Sequence, residues 1–358
     1  MPEAIGMTKH TQLSPWVLLG GALAMGLSLG VTKDASADVV VTPRPDDARV
    51  DVRVDGRPFT SYVWPKSLKK PVLYPVRTAR GTLVTRGFPL EPRPGERVDH
   101  PHHVGLWLNY GDVNGVDFWN NSEARPDSAR MGTIRHREVR AATGGPDRGQ
   151  LEVSMDWLMP DGHRVIDEAT SFVFHGDGAS RAIDRITTLT ADERVVFADN
   201  KEGMLGLRVA RDLEAPATTP EVFTDASGKP TSVPVLDNAG VNGVYHSSEG
   251  LEGDAVWGTR GRWVALAGHV GEEDVVLLVL DHPRNPGHPT YWHARGYGLF
   301  AANPLGQKAF SEGRQELDFT LEAAGSTTFR HRLLVLSGAF SAPRAEEEWK
   351  AFVAEYPD

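Results

Sequence analysis

Three of the thirteen histidines in this chain fall within four positions, at Asp99-His100-Pro101-His102-His103, and Val104-Gly105-Leu106-Trp107-Leu108-Asn109 follows at once. Imidazole changes charge near neutral pH and is also a common metal ligand. A residue before proline is pushed toward extended geometry, so the sequence predicts His100 and His102 on one side of a strand-like segment. The Asp-His-Pro triplet recurs at Asp281-His282-Pro283, trailed by His288 and His293. Two such triplets at strand ends predict a common cleft. The chemistry expected there is general acid/base catalysis, with His102, His103 and His293 moving protons and Glu202, Asp281 or Glu168 as carboxylate partner.

Binding groups are expected beside the proton carriers. His100, Trp107, Asn109, Asp117, Trp119, Trp292 and Arg295 stand in or next to the histidine runs, and Trp257 and Trp263 lie beside Gly or Arg. Indole faces suit a sugar ring, and a guanidinium suits a carboxylate or hydroxyl. No cofactor is needed for this reading. An alternative makes His100, His102 and His282 ligands of a divalent metal in an oxygenase or hydrolase, although their spacing is far less specific than an HExxH helix. A third reading is a non-catalytic glycan-binding protein, which needs the Trp faces but not the protonatable groups.

Short strands are the elements that must hold these residues. Val50, Val52 and Val54 alternate with Arg49, Asp51 and Arg53, and Asp55-Gly56 is a tight-turn dipeptide, which predicts a hairpin into Arg57-Pro58-Phe59-Thr60. Similar runs cover 82–86, 104–110, 133–139, 151–157, 165–174, 182–189, 263–267, 275–280, 316–321 and 327–336, with turn residues clustered between them. One helix is expected over 344–356, where Trp349, Phe352, Val353 and Tyr356 form a stripe after Pro343; it is placed on a sheet edge. The stretch 214–242 reads as a long loop. The pattern predicts an all-β fold, an antiparallel β-sandwich or supersandwich with a short C-terminal helix, as one domain over 38–358.

The first residues read as an export signal. Lys9 and His10 precede an apolar run from Trp16 to Val31, and Ala35-Ser36-Ala37 has the form of a cleavage site, giving a signal peptide over 1–37. The mature chain, periplasmic or extracellular, has no span long and apolar enough for a membrane. With no cysteine it has no disulfides and no thiol chemistry. A net charge of −10 repels phosphate backbones, so nucleic acid is excluded as a partner and a carbohydrate or other neutral small molecule is expected.

Taken together, Val54-Asp55-Gly56-Arg57-Pro58-Phe59, Asp99-His100-Pro101-His102-His103, Asn114-Gly115-Val116-Asp117-Phe118-Trp119, Lys201-Glu202-Gly203, Trp257-Gly258 and Asp281-His282-Pro283 resemble a bacterial family of uncharacterised secreted proteins labelled PmoA-like, or methane oxygenase. A methane monooxygenase subunit of that name is an integral membrane protein, so its activity is not carried over to a mature chain without a span. His103-x-Gly105 followed by Gly115-x-Asp117-x-Trp119 is also similar, more weakly, to the signature of galactose-mutarotase-like supersandwich proteins. That resemblance implies a His acid at His102 or His103 and a sugar substrate.

Overall fold

The computed structural model describes residues 37–357, so the expected signal segment lies outside the described residues. The Asp55-Gly56 turn forms as the sequence requires. Both residues have positive φ, and Arg49–Val54 pairs antiparallel with Arg57–Val63, burying Val50, Val52 and Val54. From this hairpin a ten-stranded sheet extends both ways. Its order is Arg260–Gly261, Thr290–Arg295, Leu299–Asn303, Gly203–Arg208, Leu106–Tyr110, Val72–Leu73, Arg57–Val63, Arg49–Val54, Asp38–Arg44 and Gly145–Pro146.

An eight-stranded sheet faces it, ordered Val244–Ser247, Trp263–Val270, Glu273–Asp281, Ser326–Ser337, Ser180–Ala191, Arg164–Gly176, Gly149–Leu158 and Thr133–Thr143. Their inner faces enclose one large apolar core that includes Val52, Leu108, Leu207, Phe172, Leu277 and Phe300. This is the antiparallel β-sandwich that the alternation implies.

Three expectations change. Residues 82–86 make only isolated bridges rather than a strand, and 214–242 is not bare loop but contains the hairpin Glu221–Thr224 with Pro230–Val235. The helix, Ala342–Glu355, is capped by Ser341 and lies across a face, not an edge. Phe352 and Ala345 pack with Trp263, Leu278, Leu280 and Leu334, which project outward from neighbouring strands of the eight-stranded sheet. Those strands are apolar on both faces, and the helix is what covers the second one.

Glu168 is also reassigned. It is buried on the inner face of the eight-stranded sheet, where its carboxylate accepts from Trp157 Nε1, Thr170 Oγ1 and Arg185 Nη2, each at 2.7 Å. Every lone pair it needs to satisfy is occupied by the fold. Breaking a buried ion pair from one side strands the other charge, so Glu168→Ala should cost about 3–5 kcal/mol of stability. Urea unfolding measures this directly; a loss below about 1 kcal/mol would show that the Arg185 guanidinium does not depend on Glu168.

Candidate active site

Along the strands of the ten-stranded sheet, side chains alternate between the sandwich core and the outer face. Antiparallel register places Trp107, Gly206, Ala301 and His293 in one outward row across four adjacent strands. The next outward row carries Arg208, Leu299 and Arg295. Gly206 is required by this arrangement. A Cβ there would lie 2.4 Å from the Trp107 indole, which crosses over the glycine.

Residues 99–103 form a turn over these rows rather than the expected extended segment. His100 has a φ of 42°, and His103 N donates to His100 O at 2.9 Å. Two buried guanidiniums hold the turn. Arg86 donates to the carbonyls of Asp99, His100 and His103 and to Asp99 Oδ1, and Arg208 donates to the same Oδ1 at 2.7 Å and to His103 Nδ1 at 3.2 Å. Burial alone raises the Asp99 carboxyl, but Arg208, the hydrogen bond from His100 and Arg86 together hold it well below the usual carboxylate range.

The three histidines end in different surroundings. His102 and His103 are buried, and among the described residues both nitrogens of His102, Nε2 of His103 and Nε1 of Trp119 have no hydrogen-bond partner. Burial, then the charge on Lys70, pushes His102 down to about 2, and burial, then His102, also holds His103 well below its ordinary value. Lys70 is itself buried, donates to Asn121 Oδ1 at 2.8 Å, and is pushed down by burial to about 7. His100 is the accessible member, with its side chain 40% exposed. Its ring stacks between His103 at 4.8 Å and Tyr297 at 5.1 Å, and its Nδ1 lies 3.2 Å from Asp99 Oδ2. The Nδ1 proton is therefore directed at the carboxylate, leaving Nε2 as the acceptor.

His293 reaches the same face from Thr290–Arg295. Its Nδ1 is 3.1 Å from Lys201 O, which can only accept, so Nδ1 carries the proton and Nε2 the lone pair. Glu202 Oε2 stands 3.8 Å from that ring, with Lys201 Nζ 3.3 Å from Glu202 Oε1. Burial, then Arg295 and Lys201, pushes His293 down to about 3, so it is neutral at pH 7. Beside it opens a cavity of about 340 Å³ lined by Asp254, Trp257, Ala294, Arg295, Gly296 and Tyr297. That volume falls in the roughly 300–1,000 Å³ range of small-molecule sites.

Several expected site residues are structural. Trp107 and Trp119 are fully buried and packed together at 5.3 Å, and Trp292 points into the sandwich core with Nε1 donating to Gly261 O. Asn109 accepts from Trp107 Nε1 and donates to Phe118 O, and Asp117 accepts from the backbone of Trp119 and Asn120. The indole that does face solvent is Trp257, 39% exposed.

The two Asp-His-Pro triplets do not share a cleft. Asp281 ends a strand of the eight-stranded sheet, is wholly buried, and accepts from His288 Nδ1 at 2.6 Å, Thr290 N at 3.0 Å and Asn285 Nδ2 at 2.7 Å. His282 packs on Phe352 of the C-terminal helix. The alternative ligand set His100, His102 and His282 is thus not assembled, and among the described residues no three His, Asp or Glu side chains converge as a metal-binding group.

Asp281 has a different effect. By accepting from Thr290 N it ties the eight-stranded sheet to the first residue of the strand that bears His293 and Arg295.

Sequence reasoning passed over Tyr297, Arg86 and Arg208. Tyr297 sits in the Gly296-Tyr297-Gly298 turn, and that glycine-flanked aromatic was the available signal. Nothing local marks Arg86 or Arg208, because their partners are more than ten residues away.

Another groove, of about 620 Å³, runs past Trp64 and His136 along Thr133–Thr143. Its imidazole packs on Trp64 at 4.0 Å, tilted by 31°, and is hydrogen-bonded to Tyr62 Oη at 3.1 Å, so the groove offers an aromatic face with the ring's Nδ1 already engaged.

Residues 49–350 match a family described as "Family of unknown function (DUF6807)". No curated protein matches the chain. Among solved structures, similarity extends to galactose 1-epimerase from Lactobacillus acidophilus NCFM, 10% identical, covering 85% of this chain and 99% of that one with a TM-score of 0.34. A galactose mutarotase-like protein from Clostridium acetobutylicum is 9% identical, covering 86% and 100% with a TM-score of 0.30. The alpha-galactosidase from Lactobacillus brevis is 10% identical, covering 86% and 39% with a TM-score of 0.30.

The buried imidazoles set a pH dependence. His102, His103 and His293 are neutral when folded and take up protons on unfolding below their ordinary value of 6.5. The unfolded state then binds more protons, so stability is complete above about pH 6.5 and falls as the pH drops, by about 2 kcal/mol per imidazole at pH 5. Urea midpoints measured from pH 7.5 to 5 should decline steadily; a flat series would mean that these rings ionise within the fold.

Proposed function

This chain belongs to the DUF6807 family, and we propose that it is an exported carbohydrate-active enzyme that acts on a glycoside, oligosaccharide or free aldose by acid/base chemistry at the outer face of the ten-stranded sheet. The observation that carries this reading is the pair His100 and His293, two imidazoles with directed tautomers on the outer face, the first stacked on Tyr297 and the second on the strand that leads to it. A sugar lying against Tyr297 and Trp257 presents hydroxyl and ring oxygens to both rings.

The two imidazoles have distinct parts. His293, neutral and with its Nε2 lone pair free of the Lys201 contact, accepts a proton from a sugar hydroxyl. The imidazolium that forms is balanced by the Glu202 carboxylate 3.8 Å away. On the opposite side His100, its Nδ1–H held on the Asp99 carboxylate 3.2 Å away, turns Nε2 toward the sugar and, when doubly protonated, supplies the opposing proton from that atom. His102 and His103 are positioning residues in this scheme. They pack beneath His100, and Arg208 fixes His103 with its proton on Nε2.

Against a panel of glycosides and free aldoses, followed by reducing-sugar release and by exchange of anomeric NMR signals, the wild-type protein should turn over at least one class. His100→Ala and His293→Ala should each lower that turnover by about 10² or more while leaving the circular dichroism spectrum unchanged. Full turnover in both folded variants would remove the proposed pair. Saturable binding by the wild type without turnover of any sugar would instead make the chain a glycan-binding protein.

A further inference from the structure

We infer that the substrate is an acidic sugar whose carboxylate is held by Arg295, an assignment that rests on the sugar-directed reading of this site. Arg295 ends its strand on the outer face, two residues beyond His293, and lines the same 340 Å³ cavity. Its guanidinium lies 5.5 Å from the Trp257 ring centroid and 5.7 Å from that of Tyr297. Two aromatic rings thus flank the cation, which stays exposed to solvent at the end of its strand. Among the described residues it makes no side-chain ion pair or hydrogen bond, and Asp254, which shares the cavity, is not paired with it. A planar fork held between rings and left without an acceptor matches a planar carboxylate, which takes two parallel hydrogen bonds from it.

The charge around the site points the same way. The whole chain carries −10, which favours a neutral ligand on average, yet this face is rich in cations. Arg86 and Arg208 share the Asp99 carboxylate and also interact with the Glu214 charge, Lys70 donates to the neutral Asn121 and interacts with the Asp117 charge, and Lys201 is matched by Glu202. Arg295 adds an unmatched positive charge in an acidic protein. The carboxylate also serves the chemistry proposed for His293. After burial, Arg295 is the foremost group holding that imidazole down, so an anion on Arg295 makes the neighbouring ring a stronger base only when the substrate is in place.

The test is binding of matched sugars by calorimetry and ligand-observed NMR. D-glucuronate and D-galacturonate, free and as 4-nitrophenyl glycosides, are compared with glucose and galactose in the same forms, with glucose 6-sulfate as a tetrahedral anion. The wild type should bind the uronates at least tenfold more tightly than the matching hexoses. Arg295→Gln should weaken uronate binding by about ten- to a hundredfold and hexose binding by a much smaller factor, and Arg295→Lys should restore only part of the uronate loss because it keeps charge without the fork.

Equal affinity for uronate and hexose, an equal loss of both in Arg295→Gln, or a preference for the sulfate would each overturn the carboxylate assignment. If hexoses bind and are turned over without uronate preference, only this assignment falls. If none of these sugars binds the wild type, the carbohydrate reading falls with it.

Discussion

The site depends on one carboxylate shared by two buried guanidiniums. Asp99 Oδ1 accepts from both Arg86 and Arg208, while Arg86 also takes up the carbonyls of Asp99, His100 and His103 and Arg208 donates to His103 Nδ1. Without Asp99 two like charges would face each other in a desolvated pocket, and without Arg86 the carbonyls of Asp99 and His103 would lose the donor that holds the turn. The clamp does more than hold the loop. It stacks His100 on Tyr297 and gives the His100 ring a carboxylate at Nδ1, so a structural ion pair and an orienting hydrogen bond are made by the two oxygens of one side chain.

A second carboxylate positions the other half. Asp281 lies at the end of a strand in the opposite sheet, and its bond to Thr290 N fixes where the strand carrying His293 and Arg295 begins. The repeated Asp-His-Pro triplet is therefore repeated in sequence but not in role. In one copy the carboxylate orders the histidine beside it, and in the other it orders a strand start nine residues downstream while its own histidine packs against a helix.

The fold was more legible than the site. Hairpins such as Val50-Asp51-Val52-Arg53-Val54 with Asp55-Gly56 carry both a period of two and a turn whose chemistry admits few alternatives. Strands Gly203–Arg208 and Leu299–Asn303 carry neither, because both of their faces are covered and buried residues run without alternation. Those are strands of the site, so local pattern was weakest where the chemistry is. The residues of the candidate site were partly visible: His293 and Glu202 stood out as proton-transfer groups, and His100 and Arg295 as binding groups. Which of the clustered histidines stays accessible was not visible. That depends on Arg86 and Arg208 holding His103 inward, and such long-range pairing leaves no mark on sequence spacing.

Alternation along Thr290–Arg295 divides one short strand into two columns. Trp292 and Ala294 belong to the apolar core, whereas His293 and Arg295 belong to the outer face. Residues of the second column can be exchanged without changing the volume of the core, and those of the first cannot. For this protein, evolvability has a period of two: the outer-face chemistry can change at 295 while 292 and 294 keep the scaffold, without first drawing on spare stability.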